Sequence, residues 1–136
     1  MRDILFRAKA KQNNEWVYGD YLSTITRTGG KNHYIKRAED GLLTPVEVIP
    51  ETLGQITGLF DSNGKIIFEG DILSEKPPMN TTAYIGYVAY DNDAAAYRFK
   101  INNDGKYNDV LLGSYSRSYT KIGNIHDNPE MLGGAE

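Results

Sequence analysis

Apolar residues recur at every second position in short runs divided by polar and glycine-containing turns, a pattern that predicts strands along most of the chain. Residues 2 to 10 set Ile4, Phe6 and Ala8 on one face and Leu5, Arg7 and Lys9 on the other, the period of a half-buried strand. Gln12-Asn13-Asn14 turns the chain, and Trp16 and Tyr18 follow in phase on a strand that reaches Gly19-Asp20. The strongest signal is Gly54 to Leu73, where two apolar runs flank Asp61-Ser62-Asn63-Gly64. There Asp can bond forward to the backbone and Gly can take the left-handed position, so a hairpin is expected. Glu69-Gly70 then interrupts the alternation and predicts a bend before Ile72-Leu73.

Pro45 to Ile49, Tyr84 to Tyr90, Tyr97 to Ile101, Val110 to Leu112 and Tyr119 to Ile125 complete the expected strands. Loops are expected at 26–32, around Asp40-Gly41, at Pro77-Pro78, where two backbone donors are missing, and at Asn102 to Gly105. Asn128 followed by Pro129 and Glu130 predicts one short helical turn with Asn128 as its cap. Laying Asn14 on Gly64 puts Trp16 on Ile66, Tyr18 on Phe68 and Phe6 on Ile56. With one extra residue at Glu69, Gly19-Asp20 meets Gly70-Asp71. The expectation is one all-β domain over 1–136 containing a pseudo-repeat of 4–53 and 54–125, with Gly19, Asp20, Gly70 and Asp71 as paired structural bends.

Composition narrows the function more than the fold. The chain has 136 residues, enough for one domain with a real core, and no cysteine, which excludes disulfides and thiolate metal sites. The N-terminal residues lack the apolar run of an export signal, and no segment is long enough to span a bilayer, so a soluble protein of the cytoplasm is expected. The net charge is −3 with both signs interspersed, which disfavours sequence-independent binding to phosphates. Arg2, Arg7, Lys9 and Lys11 could form a local basic face on the first strand, and the ordinary reading of such a set is a solvated face.

Met1 to Arg7, Trp16-Val17-Tyr18-Gly19, Gly54 to Leu59, Asp61 to Lys65, Phe68 to Ile72 and Ile122 to Glu130 stand in the order seen in the YopX family of bacteriophage and prophage proteins, which the chain resembles over nearly its whole length. The resemblance implies a phage-encoded protein built of coiled antiparallel sheets with small-barrel, SH3-like character. It implies no particular activity and supplies no catalytic residues.

Catalysis needs groups of matched pKa within hydrogen-bond reach, and the inventory is thin. His33 and His126 are the two histidines, and either would have to be brought beside Asp20, Asp71 or Asp127 by the fold. Asp61 to Lys65 fails as a calcium loop because Lys65 falls where an oxygen ligand is needed. No catalytic residue, metal or cofactor is therefore expected. Ten tyrosines and one tryptophan weigh more, since an apolar ring with a polar tip suits protein interfaces and base stacking. Trp16, Tyr18, Tyr84, Tyr87 and Tyr90 are the expected contact residues. The favoured partner is an unidentified protein, of host or phage. A nucleic-acid-binding barrel is the alternative, a small metal-dependent hydrolase comes third, and a homo-oligomer stays open.

Overall fold

The computed structural model describes residues 4–37, 45–75, 85–103 and 106–132. It is all-β in the sense expected, with two antiparallel sheets and helical structure confined to single turns. The strands are β1 (Phe6–Lys9), β2 (Trp16–Ile25), β3 (Lys31–Arg37), β4 (Val46–Glu47), β5 (Gly54–Phe60), β6 (Ile66–Phe68), β7 (Asp71–Glu75), β8 (Ile85–Asp91), β9 (Ala96–Asn103), β10 (Lys106–Leu111) and β11 (Tyr119–Asn124). One sheet runs β4-β3-β2-β1-β5-β6 and the other β10-β9-β8-β7-β11. The chain divides into two compact units, 1–56 and 57–136, with the seam inside β5. Tyr84, Asp40-Gly41, Pro77-Pro78, Asp104-Gly105 and Arg2 lie outside the described residues.

In the first unit, alternation along β1 buries Ala8 and Ala10 against Val17, Ile35 and Val48, and Phe6, Tyr21, Val46 and Leu53 pack around them. The β1–β2 turn closes with Asn14 in the left-handed region at φ 63°, its amide bonded to the Ala10 carbonyl at 2.8 Å. A 3-10 turn at Pro50–Thr52 brings the Thr52 hydroxyl to the Lys9 amide at 2.8 Å, tying the approach to β5 onto β1.

At Gly19 β2 passes from its pairing with β1 to its pairing with β3. β2 runs unbroken through both residues, with Gly19 opposite Phe6 on β1 and Arg37 on β3. Gly19 takes φ 157°, and the Phe6 and Tyr21 rings on the same face lie with their centres 5.7 Å apart. Gly70, by contrast, does turn the chain between β6 and β7, at φ 86°. Asp20 is exposed on a strand and Asp71 fully buried after a turn, so the two Gly-Asp pairs occupy unrelated settings. Each of the two hairpins has a left-handed residue at the end of its turn, Asn14 at φ 63° and Gly64 at φ 78°.

In the second unit Ile67, Leu73, Val88, Phe99, Leu112 and Tyr119 form the core, with Leu59 and Tyr97 packed against it and the Phe99 and Tyr119 rings 4.3 Å apart. Along β8 the even positions Gly86 and Val88 are buried and Ile85, Tyr87 and Ala89 half-buried, which settles which face is core. The alanine run closes the β8–β9 hairpin. Asp91 accepts from the Asp93 and Ala94 amides at 3.0 and 3.3 Å, and Ala95 adopts φ 52°.

Two C-terminal expectations change. Leu112 leaves the strand and starts a helical turn, Leu112–Tyr115, because its fully buried side chain is needed in the core. The turn at Pro129–Leu132 is present, but the Asn128 side-chain oxygen accepts from the Asn124 amide at 3.3 Å, back toward β11. Among the described residues no helix is long and apolar enough to cross a membrane.

Candidate functional site

The antiparallel register of β1 and β2 sets Arg7 opposite Tyr18 and Lys9 opposite Trp16, so alternation puts all four side chains on the sheet face turned away from the first unit's core. The Arg7 guanidinium lies 4.6 Å from the Trp16 ring centre and the Lys9 ammonium 5.6 Å. Cations at that distance are drawn to the ring face. Arg7 is 3% exposed and Lys9 9%, which corrects the reading of these residues as a solvated basic face. Alternation alone could not show this, because it distinguishes two faces without saying what covers the second. Trp16 is half-buried and Tyr18 is 44% exposed.

Tyr87 and Tyr90 belong to the second unit. Tyr87, opposite Lys100 and Ile72, is half-buried, whereas Tyr90 is 41% exposed and meets Tyr97 edge-on at 5.1 Å. Beside this ring pair, the Arg98 guanidinium donates to Asp91 at 2.8 Å. That bond, with those from the Ala94 and Asp93 amides and the charge of Arg98, holds the Asp91 carboxyl below its ordinary range.

The second unit's buried carboxylates answer the question of catalytic pairs. Asp61, fully buried, accepts from the amides of Asn63 and Lys65 through Oδ1, both at 2.8 Å, and from the amide of Lys121 through Oδ2 at 2.9 Å. Burial opposes its charge, but these amides and the nearby Lys65 ammonium outweigh it and hold the carboxyl below the usual range. The Ser62 amide donates to the Tyr119 carbonyl at 2.8 Å, so the hairpin tip is stitched along β11. Asp71, also fully buried, accepts from the Phe68 amide at 2.8 Å and pairs with the Lys121 ammonium at 3.1 Å. That ammonium donates in turn to the Ile66 carbonyl at 3.3 Å. The two carboxylates are occupied in fastening β6, β7 and β11.

His33 meets the Tyr21 hydroxyl through Nδ1 at 2.6 Å and stands opposite Ser23, on the sheet face away from Asp20, which is opposite Lys36. His126 follows β11 in a turn where its amide donates to Asn124 Oδ1 at 3.0 Å. Among the described residues no group of three or more His, Asp or Glu gathers as a metal ligand set. Sequence reasoning anticipated the forward bond of Asp61 but missed Lys121, because that partner comes from a strand 60 residues away.

Fold and surface together define an all-β, two-sheet protein that exposes Tyr18 beside a half-buried Trp16 on a strand face and engages Asp61 and Asp71 in structural bonds. The family described as YopX protein matches residues 5–133, and the chain belongs to that family. Among solved structures it is similar to the protein yopX from Bacillus subtilis, at 17% identity and a TM-score of 0.58, with all of both chains covered. It is also similar to protein EF1440 from Enterococcus faecalis, at 24% identity and a TM-score of 0.51, over 97% of this chain and 99% of that one. At such identities these likenesses establish the fold alone. No curated protein matches the chain.

Proposed function

We propose that this chain is an accessory protein, encoded by a bacteriophage or prophage as its family resemblance implies, that works in the host cytoplasm by binding another protein. The observation that carries the reading is the Trp16–Tyr18 face. Tyr18 is 44% exposed beside a Trp16 ring that two buried cations hold in place. An aromatic side chain oriented before contact loses little rotamer freedom on binding, and Tyr offers an apolar body with a polar tip, the usual chemistry of an interface anchor. The same burial works against the nucleic-acid alternative. Arg7 and Lys9, at 3% and 9% exposure, are withdrawn from the solvent where they would neutralise phosphates. The hydrolase reading is less supported, since His33 and Asp20 occupy opposite faces and Asp71 accepts from the Phe68 amide and pairs with Lys121.

The test uses the full-length chain to purify retained proteins from host cells, followed by titration of the purified candidate against wild type and Tyr18→Ala. Micromolar or tighter binding that weakens tenfold or more in the variant supports the reading. Fluorescence anisotropy with labelled duplex and single-stranded oligonucleotides across a salt series is the counter-test. Micromolar binding with a steep salt slope there overturns it in favour of a nucleic acid.

A further inference from the structure

β2 and β3 run on past their neighbours. β2 pairs with β1 only from Trp16 to Gly19, and β3 pairs with β4 only at Tyr34 and Ile35, so Ser23 to Asn32 forms a two-stranded ribbon flanked by neither strand. Ile25 continues the face that carries Tyr21 and Ile35 in the first unit's core, yet at the ribbon's end it is 76% exposed. Directly opposite it stands Lys31, also exposed, and Arg27 is exposed in the turn that joins them. From Tyr21 through Arg37 the chain carries Arg27, Lys31, Lys36 and Arg37 and no aspartate or glutamate, in a protein whose net charge is −3. Lys36 faces Asp20 across the strands, which leaves the tip cations Arg27 and Lys31 without a cross-strand carboxylate.

The tip is a built structure. The Thr26 amide donates to the Gly30 carbonyl at 2.8 Å, the Gly29 amide to the Thr26 carbonyl at 3.0 Å, and the Gly30 amide to the Thr26 hydroxyl at 3.0 Å. Gly29 takes φ 91°, as the last turn residue of such a hairpin requires. The cations and Ile25 are thus presented on an ordered tip, at small entropic cost for contact.

We infer that the ribbon tip, Ile25 with Arg27 and Lys31, is a docking element for an acidic protein surface that surrounds an apolar socket. This rests on the reading of the chain as a protein-binding module and assigns it a contact and a partner chemistry. One apolar anchor rimmed by like charges matches the core-and-rim anatomy of a protein interface. Two tip cations on an acidic protein are too few for stable attachment to a phosphate backbone, whose affinity grows with the number of phosphates neutralised. Complementary charge sets encounter rate and partner choice, and the socket for Ile25 sets dwell time.

The experiment titrates the protein purified by retention on the full-length chain against wild type, Ile25→Ser, the double variant Arg27→Glu with Lys31→Glu, and Ile122→Ser as a control at an exposed apolar residue of the second unit. Poly-L-glutamate serves as a defined acidic competitor, and circular dichroism checks that every variant folds. We expect both ribbon variants to weaken binding tenfold or more, Ile122→Ser to change it less than twofold, and poly-L-glutamate to displace the partner from wild type. If the ribbon variants bind as wild type does, this inference fails and the protein-binding reading stands. If wild type retains no protein, that reading fails and the inference with it. Oligonucleotide binding that is lost in the double variant would instead assign the ribbon to nucleic acid and overturn the inference.

Discussion

Replacing Asp61 by alanine removes the acceptor of three backbone amides at once, and the structure allows the cost to be worked out bond by bond. The amides of Asn63 and Lys65 lie in an exposed turn, where water can stand in for the carboxylate, so each loss costs about 0.5–1.5 kcal/mol. The Lys121 amide belongs to β11 and is partly buried, and leaving it without an acceptor costs about 1–3 kcal/mol. Together the substitution should destabilise the protein by about 4 kcal/mol. Asp61→Asn keeps one oxygen for the two turn amides but turns an NH2 group toward the Lys121 amide, donor against donor, and should cost about 1–3 kcal/mol. Urea unfolding followed by far-ultraviolet circular dichroism measures both, while Trp16 fluorescence reports on the first unit. The sign with pH follows from the lowered pKa. The unfolded carboxyl titrates near 3.8 and the folded one lower, so its stabilisation is complete above 3.8 and is lost as pH falls through the folded value. The gap between wild type and Asp61→Asn should therefore narrow on acidification. An alanine variant within about 1 kcal/mol of wild type, or a gap that widens toward low pH, would refute the account of Asp61 as the fastener of β11.

Three further outcomes are expected. A Cβ at Gly86 would collide with the Lys100 carbonyl and lie 2.9 Å from the Phe99 ring, so Gly86→Ala should cost about 2–3 kcal/mol in urea unfolding, and a variant as stable as wild type would mean that β9 yields freely. A Cβ at Gly70 meets nothing closer than 3.6 Å, but φ is 86°, so Gly70→Ala should lower stability by about 1–2 kcal/mol from backbone strain, with Gly70→Val lower still in thermal melting. Asp91 should titrate below 3.8 by nuclear magnetic resonance, and Arg98→Met should move its midpoint up, since the guanidinium is the largest cause of the shift.

Local chemistry determined much of this protein. Alternation and turn residues specified the strands, the hairpin at Asp61 to Gly64 and the turn at Gly70, because hydrogen bonds between near neighbours and the steric freedom of glycine act over a few residues. The aromatic residues of the candidate surface could be named from composition, but their exposure could not, since Trp16 is half-buried and Tyr18 is not. What tertiary structure decided was everything that depends on a partner distant in the chain. Gly19 and Gly70 look alike in sequence. Gly19 lies inside a long strand, because β1 and β3 pair on both of its sides, whereas Gly70 turns the chain. Arg7 and Lys9 looked like a wetted face until Trp16 on the neighbouring strand met them, and Asp61 looked like a turn residue until β11 arrived at its second oxygen. Periodicity tells which side chains share a face, whereas burial depends on what the rest of the chain brings against that face.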